Sequence, residues 1–312
     1  MVQKATNSQT RLALITEVAE NTTPATPAFT VFRALGEDLK VERDYQFSQE
    51  LDGKRGQKNA VIASLKGSGG VDFEYSHGLL DTLLESALRN AWSTNVLTDA
   101  NTLKSFTLET TYESGATDNY KRLTGAQVNT LSLDLKAADK VTGSASFMSR
   151  GADFATAIVA GATYVAGSTE PIQLGANFGS LTLGGSLTTD GLASLSMQIN
   201  NNMRPIYALG TLGPVALGVD GLEIKGKMSL WVSDTEADWL RAYADGTTTG
   251  LNFILGTTTL KKIQFELPNI VLNDITVGSK SQSGDVMIEC DWTALQASTL
   301  SQAVIRVTRN VV

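Results

Sequence analysis

The chain of 312 residues holds one histidine and one cysteine, so nucleophilic and metal chemistry have few places to start. A Ser-His-acid triad or a histidine-bearing metal site would have to pass through His77. That residue opens a helical stretch, where an exposed first-turn side chain accounts for it. Cys290 lies in the alternating run Val286-Met287-Ile288-Glu289-Cys290-Asp291-Trp292 with no second cysteine or neighbouring histidine to activate it. It reads as a small buried hydrophobe. There is no G-x-x-x-x-G-K-[ST], no G-x-G-x-x-G after a strand and no H-E-x-x-H. Asp234, Glu236 and Asp238 share a first helical turn, where acids suit the positive helix end and Ser233 with Glu236 forms a capping box. A cation site is not needed to explain them. Lys54, Arg55 and Lys58, interrupted by Asp52 and Glu50, are too few for a nucleic-acid footprint and suit a loop tip that meets an acidic partner. These residues predict no catalytic group, no cofactor and no metal.

The remaining carboxylates alternate with apolar side chains, which places them on strands. Glu42 and Asp44 stand beside Val41 and Tyr45, Asp72 and Glu74 between Val71, Phe73 and Tyr75, Asp134 between Leu133 and Leu135, and Glu289 and Asp291 around Cys290. Two stretches repeat one pattern, an alternating strand running into a serine-capped helix: Leu65 to Leu88 and Leu222 to Asp245. Gly69 meets Gly226 in this overlay, and Ser76 meets Ser233. The apolar face of the first helix is expected at Leu79, Leu80, Leu83, Leu84, Ala87 and Leu88, with Ser76 as N-cap. Repetition at this scale predicts a fold built from two like units.

Composition agrees with many short strands. Glycine numbers 28, proline six, and charged residues make up 18% of the chain. A net charge of −7 argues against phosphate binding, which needs a cationic face. One cysteine excludes an internal disulfide framework, the N-terminus lacks a secretory pattern, and no apolar run is long enough to span a bilayer. The chain divides into a polar arm over 1–28, a first unit over 29–150, a Gly/Thr connector over 151–180 and a second unit over 181–312. The arm is expected to be extended and ordered only by a partner. The first unit reads as strands at 39–51, 60–65, 70–75 and 105–112, with a hairpin of 128–135 and 141–148. The second reads as strands at 181–183, 192–199, 253–255, 262–267, 270–277 and 285–292, with a last strand at 303–308. A charged loop at 52–59 in one unit corresponds to an apolar, proline-bearing loop at 200–217 in the other.

The opening Phe29-Thr30-Val31-Phe32-Arg33, the run FEYSHGLLDTLLESAL, the connector ATYVAGSTEPIQLGANFGSLTL and the closing hairpins resemble a phage tail tube protein. The form resembled is the duplicated one of long-tailed, siphophage-like viruses. The resemblance implies a mainly β protein: tandem β-sandwich units, each flanked by one helix, and no enzymatic role. It further implies trimeric, pseudo-hexameric rings stacked into a tube, with a tape measure protein and other tail proteins as partners. DNA would pass through the lumen without specific binding, the protein residing in the virion tail after synthesis in the host cytoplasm, with no membrane involved. Glu42, Asp44, Asp134, Glu289 and Asp291, then Asp72 and Glu74, are the expected lumen-lining acids. Asp52, Lys54, Arg55, Lys58, Arg204 and Pro205 are the expected ring-stacking residues. Other readings are a different ring-forming tail component, such as a terminator or a tail-like secretion tube, and a carbohydrate-binding β-sandwich. The last lacks a cluster of aromatic residues, since Trp92, Trp231, Trp239 and Trp292 are scattered.

Overall fold

The computed structural model describes residues 5–50, 55–76, 78–114, 117–167, 178–184, 186–187, 191–231, 243–256, 261–278, 285–297 and 303–311. Strands dominate, and the protein is mainly β. The first half runs through β1 (Thr10–Thr16), β2 (Ala28–Val31), β3 (Ala34–Glu37), β4 (Lys40–Phe47), β5 (Ala60–Glu74), the helix α1 (Leu79–Ala87), β6 (Val96–Thr98), β7 (Phe106–Tyr112), β8 (Asn119–Lys136), β9 (Thr142–Ser149), β10 (Gly151–Ala155) and β11 (Thr163–Val165). The second half follows with β12 (Phe178–Leu183), β13 (Ser186–Leu187), β14 (Leu192–Asn200), β15 (Arg204–Ile206), β16 (Ala216–Gly218), β17 (Glu223–Trp231), β18 (Thr249–Leu255), β19 (Lys262–Gly278), β20 (Met287–Leu295) and β21 (Arg306–Val311).

Strict alternation decides which faces are buried. Val71 and Phe73, Leu131, Leu133 and Leu135, Leu195, Met197 and Ile199, and Cys290 and Trp292 all turn inward and are buried. The strands that carry them join in one antiparallel sheet, in the order β4–β5–β9–β8–β14–β17–β20–β19, with β3 beside β5 at the first edge. The pairing of β8 with β14 is the seam where the two halves become one sheet.

Strands β8 and β19 are long enough to serve two layers. The first part of β8 pairs with β7 and β10, and the first part of β19 with β18 and β21. The change of layer falls at Gly125, whose φ of 61° glycine tolerates, and at Pro268-Asn269. Register against β18 skips both Pro268 and Asn269, so the missing proline N–H costs no bond in that ladder. Residues 262–267 and 270–277 are therefore one bent strand rather than two. The same holds for 60–65 and 70–75, which β5 joins across Gly67-Ser68-Gly69-Gly70.

The order β4–β5–β9–β8–β7 recurs as β14–β17–β20–β19–β18, and register slips at matching points. Val128/Thr130 against β9 matches Leu272/Asp274 against β20, and Phe106/Leu108 against β8 matches Thr249/Leu251 against β19. Gly69 and Gly226 also match in space. A Cβ on Gly69 would press on the Asp38 carbonyl oxygen and one on Gly226 on that of Ser196, so each glycine admits the close approach of the neighbouring chain segment.

Two expectations are corrected. Residues 10–16, expected within an arm, form β1, which pairs with β7 along its whole length and buries Leu12, Ala13 and Leu14. The run Leu12-Ala13-Leu14-Ile15 is too short and too uniform to show a period, yet it fills a gap in the layer. Glu17, just beyond it, is buried and accepts from Ser105 and Thr107 hydroxyls and the Gly125 amide at 2.6, 2.9 and 2.8 Å. Ser76 is not the N-cap of α1. It is buried in an isolated bridge position, and Gly78, with φ of 88°, occupies the cap. Leu80, Leu83, Leu84, Ala87 and Leu88 are buried as the helical spacing predicts. His77 and the second expected helix, including Ser233, Asp234, Glu236, Asp238 and Trp239, lie outside the described residues.

Candidate functional site

The face of the long sheet that turns away from the core is mostly polar, with Trp231 and Leu295 exposed at strand ends. Between its inward leucines β8 presents Thr130, Ser132 and Asp134, β9 presents Ser144 and Ser146, and β14 presents Ser196 and Gln198. Hydroxyls bridge neighbouring strands, Ser132 to Ser144 at 2.8 Å and Thr130 to Ser146 at 2.6 Å. Two open hollows lie on this face, of about 530 Å³ over β8, β14, β17 and β20 and about 430 Å³ beside β3, β5 and β9.

Of the seven acids expected to line a lumen, Glu42, Asp72, Glu74, Asp134, Glu289 and Asp291 alternate with residues at or beside the core on their strands, whereas Asp44 lies between exposed Arg43 and Tyr45 and opposite Ser64. They differ in how they are compensated. Glu42 lies 3.3 Å from Lys66, Glu74 2.8 Å from Lys140, and Asp291 2.9 Å from Lys227. Ser68, donating at 2.5 Å, is the main reason the Glu42 carboxyl is held below its ordinary range, with Lys66 adding to it. Asp291 in turn raises the Lys227 ammonium. Asp44 accepts from the Ser64 hydroxyl at 2.5 Å. Asp72, Asp134 and Glu289 form no ion pair among the described residues. The face is thus a mixed lawn of hydroxyls, paired charges and a few open carboxylates rather than a continuous acidic wall. None of these lysines stands out in the sequence: Lys66 and Lys227 stand on β5 and β17, and Lys140 lies in the β8–β9 connection.

The loop candidates separate. Asp52 and Lys54 lie outside the described residues. Arg55 and Lys58 are exposed, Lys58 pairing with Glu50 at 2.5 Å, at the end of the β4–β5 hairpin. Tyr45, Phe47, Val61 and Ile62 are exposed on that hairpin at 47%, 53%, 68% and 40%. Contiguous exposed apolar residues of this kind mark contact surfaces. Arg204 and Pro205 belong to the β15–β16 hairpin, where Arg204 meets Asp220 at 3.3 Å. This second loop folds back on the first half, the Leu65 amide donating to the Leu212 carbonyl at 2.8 Å. The two loops therefore stand differently.

Among the described residues no group of three histidine, cysteine or acidic side chains could hold a metal ion, and no helix is long and apolar enough to cross a membrane. Cys290 is buried, and burial pushes its thiol up to about 12. Trp292 is buried, whereas Trp231 is 41% exposed at the end of β17, so these indoles form no common platform.

A search among curated proteins matches none to this chain. A family model described as phage tail tube protein matches residues 7–294, nearly the whole length. With this match and a mainly β architecture in hand, the chain belongs to the phage tail tube protein family.

Proposed function

We propose that this protein is a structural subunit that assembles into rings, three chains to a ring, stacked to enclose a lumen through which DNA passes. Phage tail tube proteins are structural components of the tail, and the finer reading rests on one observation. The eight-strand sheet carries a mostly polar, hollowed face, and among the described residues its end strands, β4 and the second part of β19, pair on one side only. Exposed sheet edges invite addition, and closing a ring removes them. The repeated strand order supports a tandem duplication of the fold, so three chains would supply six like units. The polar face then lines the lumen, with Glu42, Asp44, Asp72, Glu74, Asp134, Glu289 and Asp291 on it. Hydroxyls and paired charges offer phosphate no cationic track, which lets DNA slide. Arg55, Lys58 and the exposed apolar residues of the β4–β5 hairpin, with Arg204 and Pro205 on the other hairpin, face adjoining rings. A tape measure protein and other tail proteins are its partners in this reading.

Electron microscopy of the purified protein tests this. Hollow tubes with three chains per ring are expected, and six chains per ring or persistent monomers would overturn it. Lysine at Asp72, Asp134 and Glu289 together should leave tubes intact but slow DNA passage, and unchanged delivery would refute the lumen assignment.

A further inference from the structure

We infer that one specific pair of edges closes the ring: β4 of one copy adds to the second part of β19 of the next, in the register that β14 and β8 already use inside the chain. The inference rests on the ring reading above and names its contact surface.

Inside the chain, β14 bridges the halves. It pairs with β17 on one side and with β8 on the other, from Ser194 opposite Lys136 to Asn200 opposite Thr130. The first half has the same parts in the same order, so β3 and β4 correspond to β14, and the second part of β19 corresponds to that of β8. Each lacks the neighbour that its counterpart has. Among the described residues, β4 pairs only with β5, and Ile275 to Val277 pair only with β20.

Backbone direction agrees. The Asp38 amide donates to the Gly70 carbonyl at 3.0 Å, so even-numbered residues here point to β5 and Val41 and Arg43 point outward. At the internal seam odd-numbered residues carry the bonds, as in the Asn201 amide to the Asn129 carbonyl and the Ala137 amide to the Ala193 carbonyl, both 2.9 Å. Carrying that register over places Val41 opposite Ile275 and Arg43 opposite Asn273 as bonded pairs, with Lys40 opposite Thr276 between them. Val41 and Ile275 both already pack against the core at its margin, so pairing completes a buried row. Glu42 then faces Asp274, a like-charge contact offset by Lys66, 3.3 Å from Glu42, and by Lys40 on the diagonal. Leu39 bounds the ladder. Its amide is held by Glu37 at 2.9 Å and its carbonyl by Lys121 at 2.7 Å.

Proline is tolerated on an edge strand where its missing N–H faces outward. Val41→Pro and Ile275→Pro should therefore keep the monomer's circular dichroism spectrum while reducing assembly by about tenfold or more, the effect of losing a main-chain bond and its continuation. Lys40→Cys combined with Thr276→Cys should form an interchain disulfide on oxidation of assembled protein, whereas Lys40→Cys with Val277→Cys should not. Tubes that form normally from Val41→Pro protein, with no disulfide between positions 40 and 276, would overturn this pairing and leave the tube reading standing. A 40–276 disulfide in oligomers without a lumen would uphold the pairing and overturn the tube.

Discussion

Asn129 and Asn273 occupy one position in two strands: each is the residue passed over where its strand slips register against the next. Around Asn129 the seam is complete, the carbonyl accepting from the Asn201 amide at 2.9 Å and the side chain from the Met203 amide at 2.8 Å. Around Asn273 there is no such neighbour among the described residues, and its side-chain amide turns to the Thr293 hydroxyl at 2.5 Å. A slip that bends both strands alike makes the filled seam a template for the open one.

The N-terminal strand should be indispensable to the fold. Leu12→Ala or Leu14→Ala removes a buried side chain from the layer and should cost about 2–5 kcal/mol. Deletion through Glu17 also strands the Ser105 and Thr107 hydroxyls and the Gly125 amide that Glu17 accepts from, and should abolish cooperative thermal unfolding. A truncated protein with an unchanged melting temperature would contradict this.

Gly226→Ala should destabilise by about 1–3 kcal/mol or more, because the added methyl falls against a main-chain oxygen and the Trp292 ring. Gly221→Ala, where a Cβ would meet nothing within 4 Å, is the matched control and should be close to neutral. Urea titrations of the two variants make the comparison.

Arg309 reaches from β21 to the helix of the other half, 2.6 Å from Asp81 and 4.5 Å from the centre of the Trp92 ring. Arg309→Ala should cost about 1–3 kcal/mol, since it leaves a mostly covered carboxylate without its partner. The double variant with Asp81→Asn should lose less than the sum of the singles, and full additivity in a double-mutant cycle would refute the coupling.

Cys290 should resist alkylation at neutral pH until the protein unfolds. Its raised thiol pKa, about 12, lies above that of an unfolded cysteine, so the folded state favours the neutral form. The resulting stability is complete below the unfolded value and is lost as pH rises from there towards about 12. Wild-type protein should therefore lose more stability than Cys290→Ala between neutral and alkaline pH. Equal pH dependence in the two would sink the idea.

Much of this arrangement could be read from residue order. Alternation locates the faces of β8, β9, β17 and β20. What failed to show were features that depend on distant partners. The strand at Leu12 to Ile15 owes its place to β7, about a hundred residues on. Pro268 looked like a strand end because its acceptance depends on which partner's ladder it skips. Tyr45 and Phe47 alternate like core residues, and only the projection of their hairpin exposes them. The lysines beside Glu42, Glu74 and Asp291 come from other positions in the chain, where no local pattern announces an ion pair.

The covalent link between β8 and β14 separates two seams of like geometry by their molecularity. The internal seam forms within one chain, at an effective concentration set by the tether, and dilution cannot dissolve it. The proposed seam between β4 and β19 of different copies would instead obey mass action, so supply of the chain would govern it. In the proposed ring, joining two like halves in one polypeptide would halve the encounters that closure demands and concentrate all the control of growth in the junction that remains.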